Sequence, residues 1–173
     1  MLLATAAVLA GTAGCTYRED AAAAQHTRPA PDRSAPPQPS QRPLATLKGQ
    51  HRLVLTLTSA RRDPGGSLTV RGTLTNEANE STVVSAQLEG NESDIVKNGP
   101  SLGGATLVDL REAKRYYVLR DTDGRPLTTT GLSTLAPHER ASVYMQFPAP
   151  PASTRKVDFH LPQFDTATIT VTG

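Results

Sequence analysis

From His51 onward, apolar and polar residues alternate with a period of two. Leu53, Leu55 and Leu57 interleave with Val54, Thr56 and Thr58, which places three leucines on one face of an extended segment. Arg61-Arg62-Asp63-Pro64-Gly65-Gly66 is a turn cluster, after which Leu68, Val70 and Leu74 resume the alternation. Gly72 falls on an inward step of that second strand and predicts a bulge or a close backbone approach. Further strands are expected over 82–88, 105–110 and 115–120. A long polar stretch from Glu89 to Gly104 precedes the latter two, and as a long loop in a small domain it is the first place to look for recognition. Asp123-Gly124 predicts the turn of a hairpin whose second arm is 126–129, because glycine accepts the positive φ such turns need. Ala141, Val143, Met145 and Phe147 mark one face of the next strand. Val157, Phe159 and Leu161 mark another, and Ile169 and Val171 the last. No apolar face recurs at helical spacing over a dozen residues. About eight short strands separated by turn signals indicate an all-β fold, a β-sandwich over 49–173.

Ahead of this region the pattern is different. Residues 15–48 read as a tether: Ala21–Ala24 are followed by Pro29, Pro31, Pro36, Pro37, Pro39 and Pro43 with polar residues between. Proline removes backbone donors and biases its neighbours to extended conformations, so this tract is expected to stay disordered. Its reach lies between roughly 30 Å as a flexible coil and about 110 Å as a stiff rod. At its head stands Cys15, the one cysteine in 173 residues, after the apolar run Leu2–Ala13. That run is too short to span a bilayer, which takes about 20 apolar residues. The small residues Ala13 and Gly14 before Cys15 resemble the signal-peptidase site of a bacterial lipoprotein, although Thr12 stands where that family usually has an aliphatic residue. The resemblance implies a signal peptide over 1–14, a diacylglyceryl group on the Cys15 sulfur and a location on the outer face of the cell membrane. An ordinary cleaved signal with a secreted protein, or a cytosolic chain, would be the alternatives. No Lys or Arg precedes Leu2, so the basic leader of such a signal is expected upstream.

Composition narrows the picture further. With no Trp and few aromatics, the core must rest on Leu, Val and Ile, and one cysteine allows no internal disulfide. The formal charge of +2 belongs to the tether: residues 16–50 carry five basic and three acidic side chains, whereas thirteen of each follow from His51. A neutral domain lacks the electrostatic footprint of a nucleic-acid binder, so no nucleic-acid partner is expected.

Leu107-Val108-Asp109, Tyr117-Val118-Leu119-Arg120-Asp121, Asp123-Gly124, Leu135-Ala136-Pro137 and the Pro148-Ala149-Pro150-Pro151 turn together resemble the immunoglobulin-like domain of actinobacterial surface lipoproteins. Such modules stand alone or precede an OmpA-type peptidoglycan-binding domain. The resemblance covers roughly 51–173 and implies an immunoglobulin-like sandwich and a cell-envelope address. Its motifs are structural and imply no chemistry.

No constellation in the chain carries a recognisable reaction. Asp121-Thr122-Asp123-Gly124 echoes part of a calcium loop, but no bidentate Glu follows at the required distance, so a turn is the better reading. His26, His51, His138 and His160 are scattered without ligand spacing, and no metal or other cofactor is expected. Serines and threonines are many, yet no Gly-x-Ser-x-Gly is present. Asp109, Glu112, Asp121 and Asp123 alternate with basic residues as solvated strand ends do. The densest basic set is Arg111, Lys114, Arg115, Arg120 and Arg125. On one hairpin face these five would meet an anionic envelope polymer, phospholipid or acidic protein. Arginine suits such a role through its planar fork, although charged edge strands that block aggregation account for the set as well. The sequence therefore leads to a non-enzymatic, lipid-anchored envelope protein that presents a binding domain. A secreted envelope-modifying hydrolase and a structural spacer in a lipoprotein assembly are the competing readings.

Overall fold

A computed structural model of the chain describes residues 42–90 and 99–173. Cys15 and the tether as far as residue 41 lie outside the described residues, as do 91–98 of the long polar stretch. The described part is an all-β sandwich. Its first sheet has the order β1-β2-β3-β8, formed by β1 (Ala45–Lys48), β2 (Leu53–Arg62), β3 (Ser67–Asn76) and β8 (Arg140–Pro148). The second has the order β10-β9-β5-β6, from β5 (Thr106–Asp109), β6 (Lys114–Tyr117), β9 (Lys156–His160) and β10 (Ala167–Thr170). A small pair, β4 (Thr82–Val83) and β7 (Thr134–Leu135), stands apart from both. All these pairings are antiparallel.

The core follows from the period-two pattern. Leu55, Leu57, Leu68, Val70, Leu74, Met145 and Phe147 of the first sheet and Leu107, Val157, Phe159 and Ile169 of the second are all buried in one cluster. Polar residues between them face out, as expected for antiparallel sheets with one solvated face.

Two strand expectations need correction. Residues 45–48, read as the end of the tether, form β1 and pair with β2 from Ala45↔Leu57 to Lys48↔Val54. Leu47 supplies the reason, since it is fully buried and completes the core at that edge. The domain therefore begins some residues before 49. The strand expected over 82–88 stops at Val83, because Ser85 caps a single 3₁₀ turn, Ala86–Glu89, by accepting the Gln87 N–H at 3.2 Å. This turn directs Leu88 into the core.

The bulge expected at Gly72 is present. Leu57 pairs with Gly72 and Ser59 with Arg71, leaving Thr58 as the extra residue of β2. Its hydroxyl donates to the Arg71 carbonyl at 3.3 Å. A bulge shifts the phase of a strand. Before it Leu55 and Leu57 face inward; after it Ala60 does, so Ser59 and Arg61 are turned to the outer face. Arg62 then falls on an inward step at the end of the sandwich. There its guanidinium donates to the carbonyls of Pro150 (3.3 Å), Pro151 (3.0 Å), Thr154 (2.5 Å) and Gly173 (3.3 Å).

Asn76 secures the opposite end. Fully buried, its amide nitrogen donates to the carbonyls of Glu80 (2.8 Å), Leu135 (3.1 Å) and Ala136 (3.0 Å). Its oxygen accepts from the Ala78 N–H (2.9 Å) and the Thr82 hydroxyl (3.2 Å). One side chain thus ties the end of β3 to both strands of the small pair.

Candidate binding face

The five basic residues singled out from the sequence do not share one face. Arg125 is ion-paired with Asp121 at 3.6 Å and with Asp123 within its own turn. That turn is the expected one: Asp121 Oδ1 accepts the N–H groups of Asp123 (2.9 Å) and Arg125 (2.8 Å), and Gly124 has φ +82°. Arg120 lies beyond β6, bridged to Pro126. The expected hairpin is present but short: Asp121 N–H donates to Arg125 O at 2.9 Å and Leu127 N–H to Leu119 O at 2.7 Å, after which the second arm, 126–129, runs along the edge of β8. Gln146 N–H donates to Leu127 O at 3.0 Å and Thr129 N–H to Tyr144 O at 3.0 Å. Lys114 sits with its ammonium 5.4 Å from the centre of the Tyr116 ring, on the side opposite Arg115.

Arg111 and Arg115 remain. Arg115 faces outward beside Val108, with which it is paired. Arg111 lies in the turn after β5 and joins two cations that the sequence analysis missed, Arg155 and Lys156 at the start of β9. These three rim a shallow depression of about 410 Å³ on the outer face of the second sheet. Its floor includes Val108, which pairs with Asp158 across the strands. Leu110 stands beside it and is 75% exposed. Asp158 is the carboxylate on this floor, and it accepts from the Thr168 hydroxyl at 2.6 Å. Among the described residues, none of the three rim cations donates a side-chain hydrogen bond. Three cations against two carboxylates, the half-buried Asp158 and the buried Asp109, leave the face positive, with apolar surface at its centre.

Asp109, which also lines the depression, is held inward and hidden from solvent, being 1% exposed. It accepts from the Thr154 hydroxyl at 2.5 Å and from the N–H groups of Arg111 (2.9 Å) and Glu112 (3.2 Å). The Thr154 bond does most to lower its pKa below 3.8. Burial opposes this, and the two backbone donors and the Arg111 charge add to the lowering. A carboxylate so occupied is a structural anchor that aims the Arg111 backbone. Nearby, the Tyr116 hydroxyl is buried with no partner among the described residues. Desolvation raises its pKa, with the charges of Asp109 and Glu112 adding to the rise.

Arg155 and Lys156 lie more than forty residues from Arg111 in sequence, and only the β5–β9 pairing brings them together. A run-on basic cluster was the signal available in the sequence, whereas the assembled face draws on two distant segments. Among the described residues, no group of three or more His, Cys, Asp or Glu side chains is arranged to hold a metal ion. No helix among them is long and apolar enough to cross a membrane. No known family model matches this chain, and no curated protein matches it in sequence.

Proposed function

We propose that this chain is a non-enzymatic, lipid-anchored protein of the cell envelope, whose immunoglobulin-like sandwich presents a binding face to a partner carrying acidic groups. The observation that carries the binding role is the rim of Arg111, Arg155 and Lys156 around a depression floored by Val108 and flanked by the exposed Leu110. Arginine and lysine whose side chains donate no hydrogen bond among the described residues attract anions, and an exposed leucine beside them adds apolar contact once water is displaced. The anchor rests on Cys15 and its small-residue context, and the Pro-rich tract would lift the domain clear of the bilayer. Two acyl chains on one cysteine supply the pair of membrane signals that stable anchoring takes.

Two experiments test this reading. Metabolic labelling with a palmitate analogue should mark the wild type and leave Cys15→Ser unlabelled and released from the membrane fraction; a labelled mutant would refute the anchor. Retention of the purified full chain on isolated cell envelopes should weaken with salt. It should also fall at least tenfold in an Arg155→Ala/Lys156→Ala double variant that melts like wild type. Undiminished retention by that variant overturns the binding face.

A further inference from the structure

The outer face of the first sheet holds a second cationic cleft, larger than the first, at about 820 Å³. It exists because of the bulge. Had β2 continued in register past Leu57, Ser59 and Arg61 would face the core; the extra residue Thr58 sends both outward. There Arg61 pairs with Thr69 and Ser59 with Arg71, so that two arginines and two hydroxyl residues alternate on a square of the sheet surface. Arg61 and Arg71 are diagonal neighbours, about 7 Å apart at the backbone, within the reach of long side chains onto a common point.

The floor between them is built. Thr69 faces outward yet is only 6% exposed, and its hydroxyl donates to Asp63 Oδ2 at 2.5 Å. Asp63 also accepts from the Ser67 hydroxyl at 3.3 Å, and its own N–H donates to the Ser67 carbonyl at 2.8 Å, which closes the turn. The one carboxylate side chain lining the cleft is thereby engaged in holding the turn. Arg62, the third arginine lining it, is engaged too, by its four carbonyl acceptors. Arg61 and Arg71 are exposed, and neither guanidinium has a hydrogen-bond partner among the described residues. Thr172 supplies a further hydroxyl at the margin, fixed by N–H and Oγ1 bonds to Ala60 O at 2.9 and 3.2 Å.

From this arrangement we infer that the bulge cleft is a binding site for an oxyanion carried on a hydroxylated carbon skeleton, a sugar or polyol phosphate or a sugar carboxylate. The Arg61 and Arg71 forks converge on the oxyanion, matching its geometry through paired N–H donors. Ser59 and Thr172 hydroxyls exchange hydrogen bonds with the skeleton, and the buried Thr69 forms the base. The polar lining distinguishes this cleft from the depression on the second sheet, whose centre is apolar.

The test is calorimetric titration of the purified full chain with glycerol phosphate, glucuronate and uncharged glycerol. Saturable binding in the millimolar range or tighter is expected for at least one of the two anions, and none for glycerol. Comparison of the anions decides between phosphate and carboxylate. An Arg61→Ala/Arg71→Ala double variant, whose substitutions are at exposed positions, should melt like wild type and lose at least tenfold in affinity. Arg71→Lys should lose part of it, because a point charge replaces a fork. The Arg155→Ala/Lys156→Ala variant should bind as wild type does, which separates this cleft from the binding face on the other sheet. No anion binding by wild type, equal binding of glycerol, or unaltered affinity in the Arg61→Ala/Arg71→Ala variant overturns the inference.

Discussion

Replacing Gly72 with alanine is the sharpest test of how the bulge is built. In an ordinary strand this change would stabilise, since glycine loses more backbone freedom on folding, by about 0.5–1 kcal/mol. Gly72 has no positive φ to forbid a side chain. The objection is steric: a methyl group there would meet Leu57 Cα at 3.2 Å and press still closer on the Thr56 carbonyl oxygen. Both are backbone atoms of the bulged strand, so no side chain can swing away. Overpacking of this kind costs about 1–3 kcal/mol, and the rigid neighbour puts Gly72 at the upper end. The net expectation is a loss of about 2 kcal/mol, or a fall in Tm of about 8 °C for a domain of this size. Urea denaturation of the full chain followed by circular dichroism measures it, as a lower midpoint at unchanged slope. Gly65→Ala is the control, since nothing lies within 4 Å of its added methyl. If Gly72→Ala proves as stable as Gly65→Ala, the close approach does not constrain the bulge and the reasoning fails.

Two further perturbations probe the ends of the sandwich. Asn76→Asp would set a carboxylate oxygen against the Glu80, Leu135 and Ala136 carbonyls. It should cost about 4 kcal/mol at neutral pH and more than Asn76→Ala, with the difference narrowing in acid as the new carboxyl protonates. A melt in which the Asp variant matches or exceeds the Ala variant at neutral pH refutes this account. Thr154→Val removes the hydroxyl that Asp109 accepts at 2.5 Å and should cost about 2 kcal/mol at neutral pH. Because the folded-state pKa of Asp109 lies below its usual value, the stabilisation is fully present above the usual aspartate value near 4 and lost as the pH falls through the folded value. The gap between wild type and Thr154→Val should therefore shrink below about pH 4, and a gap that stays constant down the acid limb contradicts it.

What could be read from the sequence was the part governed by local alternation. Strands β3, β8 and β9 show an unbroken period of two and β2 keeps it as far as Leu57, while the inward glycine in β3 signals the bulge opposite it. Short elements were harder. β1 contributes one buried leucine between Pro43 and Gly49, too little pattern to distinguish from a tether. Beyond Val83 the alternation of Val84, Ala86 and Leu88 mimics a strand, while the Ser85 cap decides for a turn. The hairpin joining β1 to β2 was hidden for a different reason. The last two residues of its turn, Gln50–Arg52, are His51 and Arg52, which take φ of 53° and 60°, left-handed values for which Gly or Asn is the usual signal. The candidate sites were the least legible, because each joins residues that only strand pairing brings together. Arg111 meets Arg155 and Lys156 through the β5–β9 register, and Arg61 meets Arg71 only when a one-residue bulge has changed the phase of β2.

The two cationic surfaces also share a structural origin at the end of the sandwich. Thr154 receives Arg62 of the first sheet on its carbonyl and gives its hydroxyl to Asp109 of the second. Each of these inward anchors has an outward cation next or near to it in the chain: Arg61 before Arg62, Arg111 just after Asp109, and Arg155 after Thr154. For Arg61 alternation requires this, since a residue fixed inward on a strand commits its neighbour to the other face, whereas Arg111 and Arg155 lie in the segments next to β5 and β9 whose backbone these bonds fix. An Arg62–Thr154–Asp109 network that fixes the backbone at three points therefore orients the exposed guanidiniums on both sheets, although none of the three residues is itself free to bind. Loss of the Thr154 hydroxyl should then loosen the Arg111 rim while leaving the Arg62 contacts, which use the Thr154 carbonyl, in place.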